Sequence, residues 1–317
     1  MMDDTLIAEA LRLAGDTTPL RDRASVGGGS ISHAVRLRTD RGAYLLKIGG
    51  RGMPRFFESE ARGLALLAAS GAVRVPDVLA YRDSEPEASG KRREGIEAPL
   101  AAHLSPLASV DGFILLEWLA APPRADRGRA GEILGAALAA LHRSTADAYG
   151  LDHDNYIGAT PQPNGWSASW LEFFRERRLR FQAGLAQRGG LLGRERERRI
   201  ERLLERLDRW IDDATVRPSL LHGDLWGGNF IVGPGGAPAL IDPAVSYGDR
   251  EADLAFTTLF GGFPESFCRA YESAWPLPAG WHERRDLYNL YHLLNHLNLF
   301  GEGYGSQVDD VLRRYVG

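Results

Sequence analysis

The sequence predicts an α+β fold of two lobes, a small N-terminal lobe built on antiparallel strands and a larger, mainly helical C-terminal lobe. Three observations carry this expectation. Residues 33–38 and 43–48 are β-prone runs separated by the turn signal Asp40-Arg41-Gly42, which reads as a hairpin. A third β-prone run, Gly112-Phe113-Ile114-Leu115-Leu116-Glu117-Trp118-Leu119, is followed by Pro122-Pro123, and beyond it Ile133, Leu134, Leu138 and Leu141 recur at helical spacing. That switch puts the boundary near residue 120, with residues 1–119 as the N-lobe and 120–317 as the C-lobe. A chain of 317 residues, 44% hydrophobic, has material for a core in each.

The elements follow in order. Leu6, Ala10 and Leu13 share one face of a helix over residues 5–14. The hairpin comes next, then a helical segment over residues 56–69 and an extended run over 75–81. Residues 83–109, rich in Ala, Pro, Ser, Gly and charge without periodicity, read as an exposed insertion with no catalytic role. In the C-lobe, His142 at the end of the first helix reads as a capping or packing residue. Arg and Glu alternate through residues 191–211 while Ile200, Leu203, Leu204, Leu207 and Trp210 keep helical spacing, as in a solvated helix with one buried face. No internal repeat is present.

Composition excludes several classes. A net charge of -4 argues against non-specific nucleic-acid binding, which needs a surplus of Lys and Arg, and points to a small polar substrate instead. The N-terminal residues have no basic and long apolar signal-like regions, and no run approaches a membrane span, so the expectation is a cytoplasmic protein. The single cysteine, Cys268, cannot form an internal disulfide and is expected to be a small packing residue.

Chemistry concentrates in Leu221-His222-Gly223-Asp224-Leu225-Trp226-Gly227-Gly228-Asn229-Phe230. Asp224 and Asn229 are five residues apart, the acid and amide interval of the kinase catalytic loop His-x-Asp-x4-Asn, with Gly223 where protein kinases carry Arg. Such a loop needs a carboxylate to accept the proton of an attacking hydroxyl and an oxygen ligand for Mg²⁺ at the nucleotide phosphates. Thirteen residues after Asn229, the β-run Ala239-Leu240-Ile241 ends in Asp242, which would complete the metal site. Only two of the 38 Lys and Arg residues are lysines, and one of them, Lys47, lies inside the apolar run Ala43-Tyr44-Leu45-Leu46-Lys47-Ile48. A kinase aims such an ammonium at the α and β phosphates, oriented by a helix Glu. Glu60 is the expected partner, with Glu58 as the alternative; the two lie roughly 200° apart on a helix, so only one faces the strand. Gly27, Gly28 and Gly29, then Ser30, would let backbone amides approach phosphate. A flexible turn fits these residues equally, but they stand ahead of the Lys strand, Glu helix, catalytic loop and metal Asp in kinase order. Glu117 to Leu119 would form the hinge that binds adenine edges.

These segments, with Tyr247-Gly248-Asp249-Arg250-Glu251-Ala252-Asp253-Leu254-Ala255, Leu259-Phe260-Gly261-Gly262-Phe263, Gln162, Asn164 and Trp166 within residues 155–170, Phe173-Phe174-Arg175-Glu176-Arg177-Arg178-Leu179, and the helix from Leu287 to Gly301, closely resemble the fructosamine kinase (ketosamine 3-kinase) family over nearly the whole chain except residues 83–109. Trp226 and the His/Asn-rich helix carry the resemblance most specifically; the Gly loop and His-Gly-Asp are shared with aminoglycoside phosphotransferases and choline kinases. The resemblance implies a bilobal protein-kinase-like fold that uses ATP and Mg²⁺ to phosphorylate the sugar O3 of ketoamines, fructosamines or ribulosamines, after which the adduct decomposes and frees the amine. It implies a free or protein-bound ketoamine as substrate. Some relatives carry Cys where this chain has Ser30, so a redox-linked dimer is not expected, and the chain is expected to be a monomer or weak dimer.

On the substrate side, Asn289, His292 and His296 share a helix face and would line the acceptor cleft or form a hydrogen-bonded structural stripe. Trp226 would offer a flat face to the substrate or pack beneath the loop. Asp253 reads as an anchor of catalytic-loop backbone. Competing readings are an aminoglycoside- or choline-type phosphotransferase of the same fold and a nucleotide-binding pseudokinase. A protein kinase is disfavoured because Asp242-Pro243-Ala244 stands where Asp-Phe-Gly would and no Ala-Pro-Glu follows.

Overall fold

The computed structural model describes residues 4–27, 32–84 and 112–317. Gly28, Gly29, Ser30 and nearly all of the expected insertion therefore lie outside the described residues.

Strands β1 (Leu20–Ser25), β2 (His33–Thr39), β3 (Ala43–Gly49), β4 (Val78–Arg82) and β5 (Gly112–Glu117) form one antiparallel sheet in the order β1-β2-β3-β5-β4. Successive side chains alternate between its faces. Val35, Leu37, Leu46, Ile48, Phe113 and Leu115 pack with Leu6, Ile7, Ala10 and Leu11 of helix α1 (Asp4–Leu13) in a small core of their own. Ile114 and Leu116 instead join the main core with helix α2 (Phe56–Ala69). Lys47, in register with Ile114, points to this second face. The period of two thus sends the lone apolar-flanked lysine toward α2.

Strand β1 was not expected. Its Leu-Arg-Asp-Arg-Ala-Ser sequence has no apolar alternation, and it is held at the edge by backbone pairing and by charges: Arg21 donates to Asp40 at 2.7 Å, Arg36 to Asp22 at 2.9 Å, and Arg23 pairs with Asp4. Charged edge strands of this kind resist pairing with other chains.

The C-terminal part contains helices α3 (Arg127–His142), α4 (Trp170–Phe173) continuing through a π-helical turn (Phe174–Arg180) into α5 (Phe181–Arg188), α6 (Arg194–Leu204), α7 (Arg250–Leu259), α8 (Glu265–Ala274), α9 (Trp281–Phe300) and α10 (Gly305–Val316). Short antiparallel pairs punctuate them: β6 (Asn155–Ile157) with β7 (Thr160–Gln162), β8 (Ser219–Leu221) with β11 (Ser246–Gly248), and β9 (Phe230–Val232) with β10 (Pro238–Leu240). Among the described residues no helix is long and apolar enough to cross a membrane.

Two packing expectations need correction. On α3 the buried face is Ala130, Leu134, Leu138 and Leu141, whereas Ile133, one residue and about 100° off that line, is 46% exposed. Cys268 on α8 is exposed rather than packed, because Phe267 and Tyr271 form that helix's buried line.

Candidate active site

The catalytic loop leaves β8 at Leu221 and ends where β9 begins at Phe230. Strand β10 runs beside β9 and delivers Asp242 to the same place: the Ile241 amide donates to the Asn229 carbonyl at 3.1 Å, and the Ala244 amide to the His222 carbonyl at 2.8 Å. The two loops approach so closely that a Cβ on Gly223 would lie 1.9 Å from the Ala244 carbonyl oxygen, and Gly223 has φ +81°. Only glycine fits there. Asp242 itself adopts φ 55°, an uncommon left-handed conformation for a residue with a side chain and one that clusters at functional sites.

Lys47 Nζ donates to Glu60 Oε1 at 2.7 Å and also contacts Asp242 Oδ1. Glu58 takes the other side of α2, where Arg55 holds it at 2.6 Å. Burial pulls the Lys47 ammonium toward neutrality, but the charges of Asp242 and Glu60 overcome it and raise its pKa, so Lys47 stays charged. Shared between two carboxylates, it leaves Glu60 partly uncompensated, and burial pushes that carboxyl up.

Asn229 Nδ2 donates to the Asp224 carbonyl at 2.8 Å and to Asp224 Oδ2 at 2.9 Å. This fixes both side chains and commits the carboxamide nitrogen of Asn229 rather than its oxygen. Burial, then the charge of Asp242, raises the Asp224 pKa to about 7, against the opposing pull of the Asn229 donor. Lys47, Glu60, Asp224 and Asp242 line one open cleft of about 580 Å³, solvent at its mouth included, together with Asn155 and Tyr156.

The beginning of the loop is held from below. Asp253 accepts from the amides of His222 at 2.7 Å and Gly223 at 2.8 Å, and lies 3.2 Å from His142 Nε2. Burial alone would raise the Asp253 pKa; the His142 hydrogen bond and neighbouring donors outweigh it and keep the carboxylate ionised. His142, completely buried, meets Tyr271 Oη through Nδ1 at 2.8 Å. It is a packing residue with a specific partner.

The other expected positions are placed as follows. Gly27 is exposed at the end of β1. The Glu117 amide is already committed to the Asp77 carbonyl at 2.9 Å and its side chain takes Arg74, so Glu117 can offer the hinge only its carbonyl. The Leu119 amide has no protein partner among the described residues. Trp226 is half-buried and folds back over its own loop, its ring so near Gly228 that a Cβ there would lie 2.2 Å away.

His292 and His296 do not line this cleft; His292 instead borders a smaller space with Gln162, Arg178, Gly223 and Asp253. The His292 ring stacks on Phe256 at 3.5 Å and 5°, and only 5% of the residue is exposed. Burial drives its pKa down to about 3, so the ring is neutral. His296 Nδ1 donates to the His292 carbonyl at 2.8 Å among Phe256, Phe260, Phe300 and Tyr304. The shared helix face exists, but α7 covers it. Asn155, whose Nδ2 donates to the Val245 carbonyl at 2.9 Å, and Tyr156 were not singled out as site residues. Their only signal was their place in an aperiodic polar segment of the resemblance.

Comparison with known proteins gives the family. The family model for fructosamine kinase matches residues 2–317. A probable ketoamine kinase from Enterococcus faecium is 38% identical over 99% of this chain and 100% of its own length. The chloroplastic protein-ribulosamine 3-kinase of Arabidopsis thaliana is 36% identical over 98% of this chain and 89% of its own. The crystal structure of a fructosamine-3-kinase candidate from Thermobifida fusca superposes with a TM-score of 0.80 at 29% identity, covering 99% of both chains. The choline kinase LicA of Streptococcus pneumoniae, at 17% identity, 98% coverage of both chains and a TM-score of 0.62, shares the fold. This chain belongs to the fructosamine kinase family and is an ATP-dependent kinase.

Proposed function

We propose that the protein transfers the γ-phosphoryl group of ATP to the 3-hydroxyl of the sugar in ketoamines, fructosamines or ribulosamines, free or on glycated protein, as a deglycation activity. The observation that carries this reading is the convergence of Lys47, Glu60, Asp242 and Asp224 in one cleft of a fructosamine kinase family member, with Asn229 hydrogen-bonded to Asp224.

In this reading Lys47, oriented by Glu60, holds the α and β phosphates, and nucleotide binding draws it away from Asp242. Gly27, Gly28, Gly29 and Ser30 cover the phosphates, while the Glu117 carbonyl and Leu119 amide meet the adenine edge. Residues 1–119 act as the nucleotide lobe and 120–317 as the catalytic and acceptor lobe. Asp242 and Asn229 offer carboxylate and carboxamide oxygens, the hard donors that suit Mg²⁺ when completed by phosphates and water. Bound there, Mg²⁺ would neutralise phosphate charge. Asp224 orients the sugar hydroxyl and accepts its proton, and Trp226 offers a face to the acceptor. Most of the acceleration then comes from positioning and charge neutralisation, with proton acceptance adding about 10²- to 10⁴-fold. We assign the protein to the cytoplasm as a monomer or weak dimer.

The test is ADP release with fructosamine and ribulosamine substrates beside aminoglycosides and choline, with the phosphate position read by ³¹P NMR. Turnover of a ketoamine at O3 that is lost in Asp224→Asn, with ATP affinity retained, supports the reading. Turnover of an aminoglycoside or choline alone transfers the assignment to those acceptors, and ATP binding without any turnover makes the chain a pseudokinase.

A further inference from the structure

Arg127 opens α3, far in sequence from the catalytic loop, yet it reaches the loop's far end. Its Nη2 donates to the carbonyl oxygens of Gly227 at 3.0 Å and Gly262 at 2.9 Å, its Nε to Gly262 at 3.2 Å, and its Nη1 to Phe230 at 3.2 Å. The guanidinium carbon lies 4.4 Å from the centroid of the Phe230 ring. Among the described residues no carboxylate pairs with Arg127. Three carbonyl dipoles, two from the loop and one from the turn after α7, converge with their negative ends together, an arrangement that is repulsive unless a cation with several coplanar donors fills the gap.

The contact is made where side chains cannot help. A Cβ on Gly227 would lie 2.6 Å from the Gly261 carbonyl oxygen and 2.9 Å from Gly262 Cα, so the loop meets the turn after α7 backbone to backbone. Gly227 and Phe230, the two loop residues that Arg127 holds, bracket Asn229. Asp253 ties the start of the loop at His222 and Gly223; Arg127 ties its end.

We infer that Arg127 is a positioning residue whose guanidinium fixes residues 227–230 so that the Asn229 carboxamide oxygen is aimed at the metal. In this role its hydrogen bonds go to backbone rather than to substrate or nucleotide. The inference rests on the assignment of Asn229 to the metal made above.

Arg127→Ala, Arg127→Lys and Asn229→Ala are compared with the wild-type chain by titrating Mn²⁺ in the presence of a saturating non-hydrolysable ATP analogue, followed by EPR, and by steady-state kinetics. Removing a group that orients a metal ligand typically costs about 10- to 100-fold in metal affinity or activity. Arg127→Ala should therefore weaken Mn²⁺ about 10-fold or more and lower kcat, with metal-free nucleotide affinity unchanged. Lys should fall between, and guanidinium ion at tens of millimolar (~50 mM) should restore Arg127→Ala because the site is open to solvent. Unchanged Mn²⁺ affinity in folded Arg127→Ala, or equal loss of metal-free nucleotide affinity, overturns the inference. Should that variant not fold, Arg127→Gln, which keeps two donors, is read by the same criteria. If Asn229→Ala also leaves Mn²⁺ affinity intact, the metal assignment itself fails; if Asn229→Ala weakens it and the Arg127 variants do not, only the positioning role is lost.

Discussion

Asp253→Asn tests whether catalytic-loop geometry, rather than the mere presence of Asp224, sets the rate. The Asp253 carboxylate spends one oxygen on the His222 amide at 2.7 Å and the other on the Gly223 amide at 2.8 Å. A carboxamide of the same shape has only one acceptor oxygen. Whichever way it is turned, its NH₂ faces a backbone N–H that has no other use for it. One hydrogen bond to a charged acceptor, worth about 1.5–3 kcal/mol, is lost, and a buried donor is left unsatisfied at about 1–3 kcal/mol. The expected destabilisation is about 2.5–6 kcal/mol, which most of the ~5–15 kcal/mol range of a typical domain exceeds, so the variant should still fold. The loop start should shift to relieve the donor clash, and a displacement near 1 Å at a reacting group costs on the order of 10²-fold in rate. Urea unfolding measures the first quantity, and kcat at saturating ATP, Mg²⁺ and ketoamine the second. His142→Gln, which leaves both amide bonds in place, should lose much less kcat. A folded Asp253→Asn enzyme with kcat within about twofold of wild type would refute the argument.

Three further outcomes follow from the structure. Asp224 must be a carboxylate to accept a proton, and its pKa of about 7 reflects burial and then the charge of Asp242; kcat/KM should therefore fall as pH drops through about 7 at limiting Mg²⁺, and the limb should move to lower pH as Mg²⁺ neutralises Asp242, whereas a limb indifferent to Mg²⁺ contradicts this. Gly227→Ala puts a methyl 2.6 Å from the Gly261 carbonyl oxygen, a backbone neighbour that cannot step aside; it should cost about 1–3 kcal/mol in urea unfolding and most of kcat, and a neutral result would disprove the close approach. His292 is held neutral down to about pH 3 while its unfolded counterpart protonates near 6.5, so the unfolded chain binds the extra proton and stability falls as pH drops below about 6.5. Between pH 7.5 and 5.5 the wild type should lose up to about 1.4 kcal/mol more than His292→Phe in denaturant titrations, and parallel pH curves would place the imidazole in water.

What could be read in the sequence depended on whether the informative contact was local. The catalytic loop, the hairpin and the helix at residues 56–69 declare themselves over a few residues, through fixed intervals, a turn signal and a 3.6-residue period. The Lys47–Glu60 pairing needed one more step, the kinase pattern in which a strand lysine aimed at phosphate is oriented by a Glu on a helix. The misreadings share the opposite property. Periodicity groups Asn289, His292 and His296 on one face but does not say which element covers it, and only the fold brings Phe256 of α7 against His292. Strand β1 has no pattern because its edge position asks for charge rather than apolar alternation. In the Arg/Glu run of α6, Arg196 is only 8% exposed because Glu302 and Asp309, more than 100 residues later, close around it. Arg127 is the extreme case: its partners are four hydrogen bonds to main-chain carbonyls, which every residue possesses, so neither end of the contact has a side-chain signature. Residues that perform chemistry must have particular side chains at particular intervals, while residues that hold them in place need only reach backbone. The positioning groups of this site are therefore less legible from one sequence than the reacting groups, and glycines such as Gly223 and Gly227, which mark where backbone meets backbone, are the indirect trace they leave.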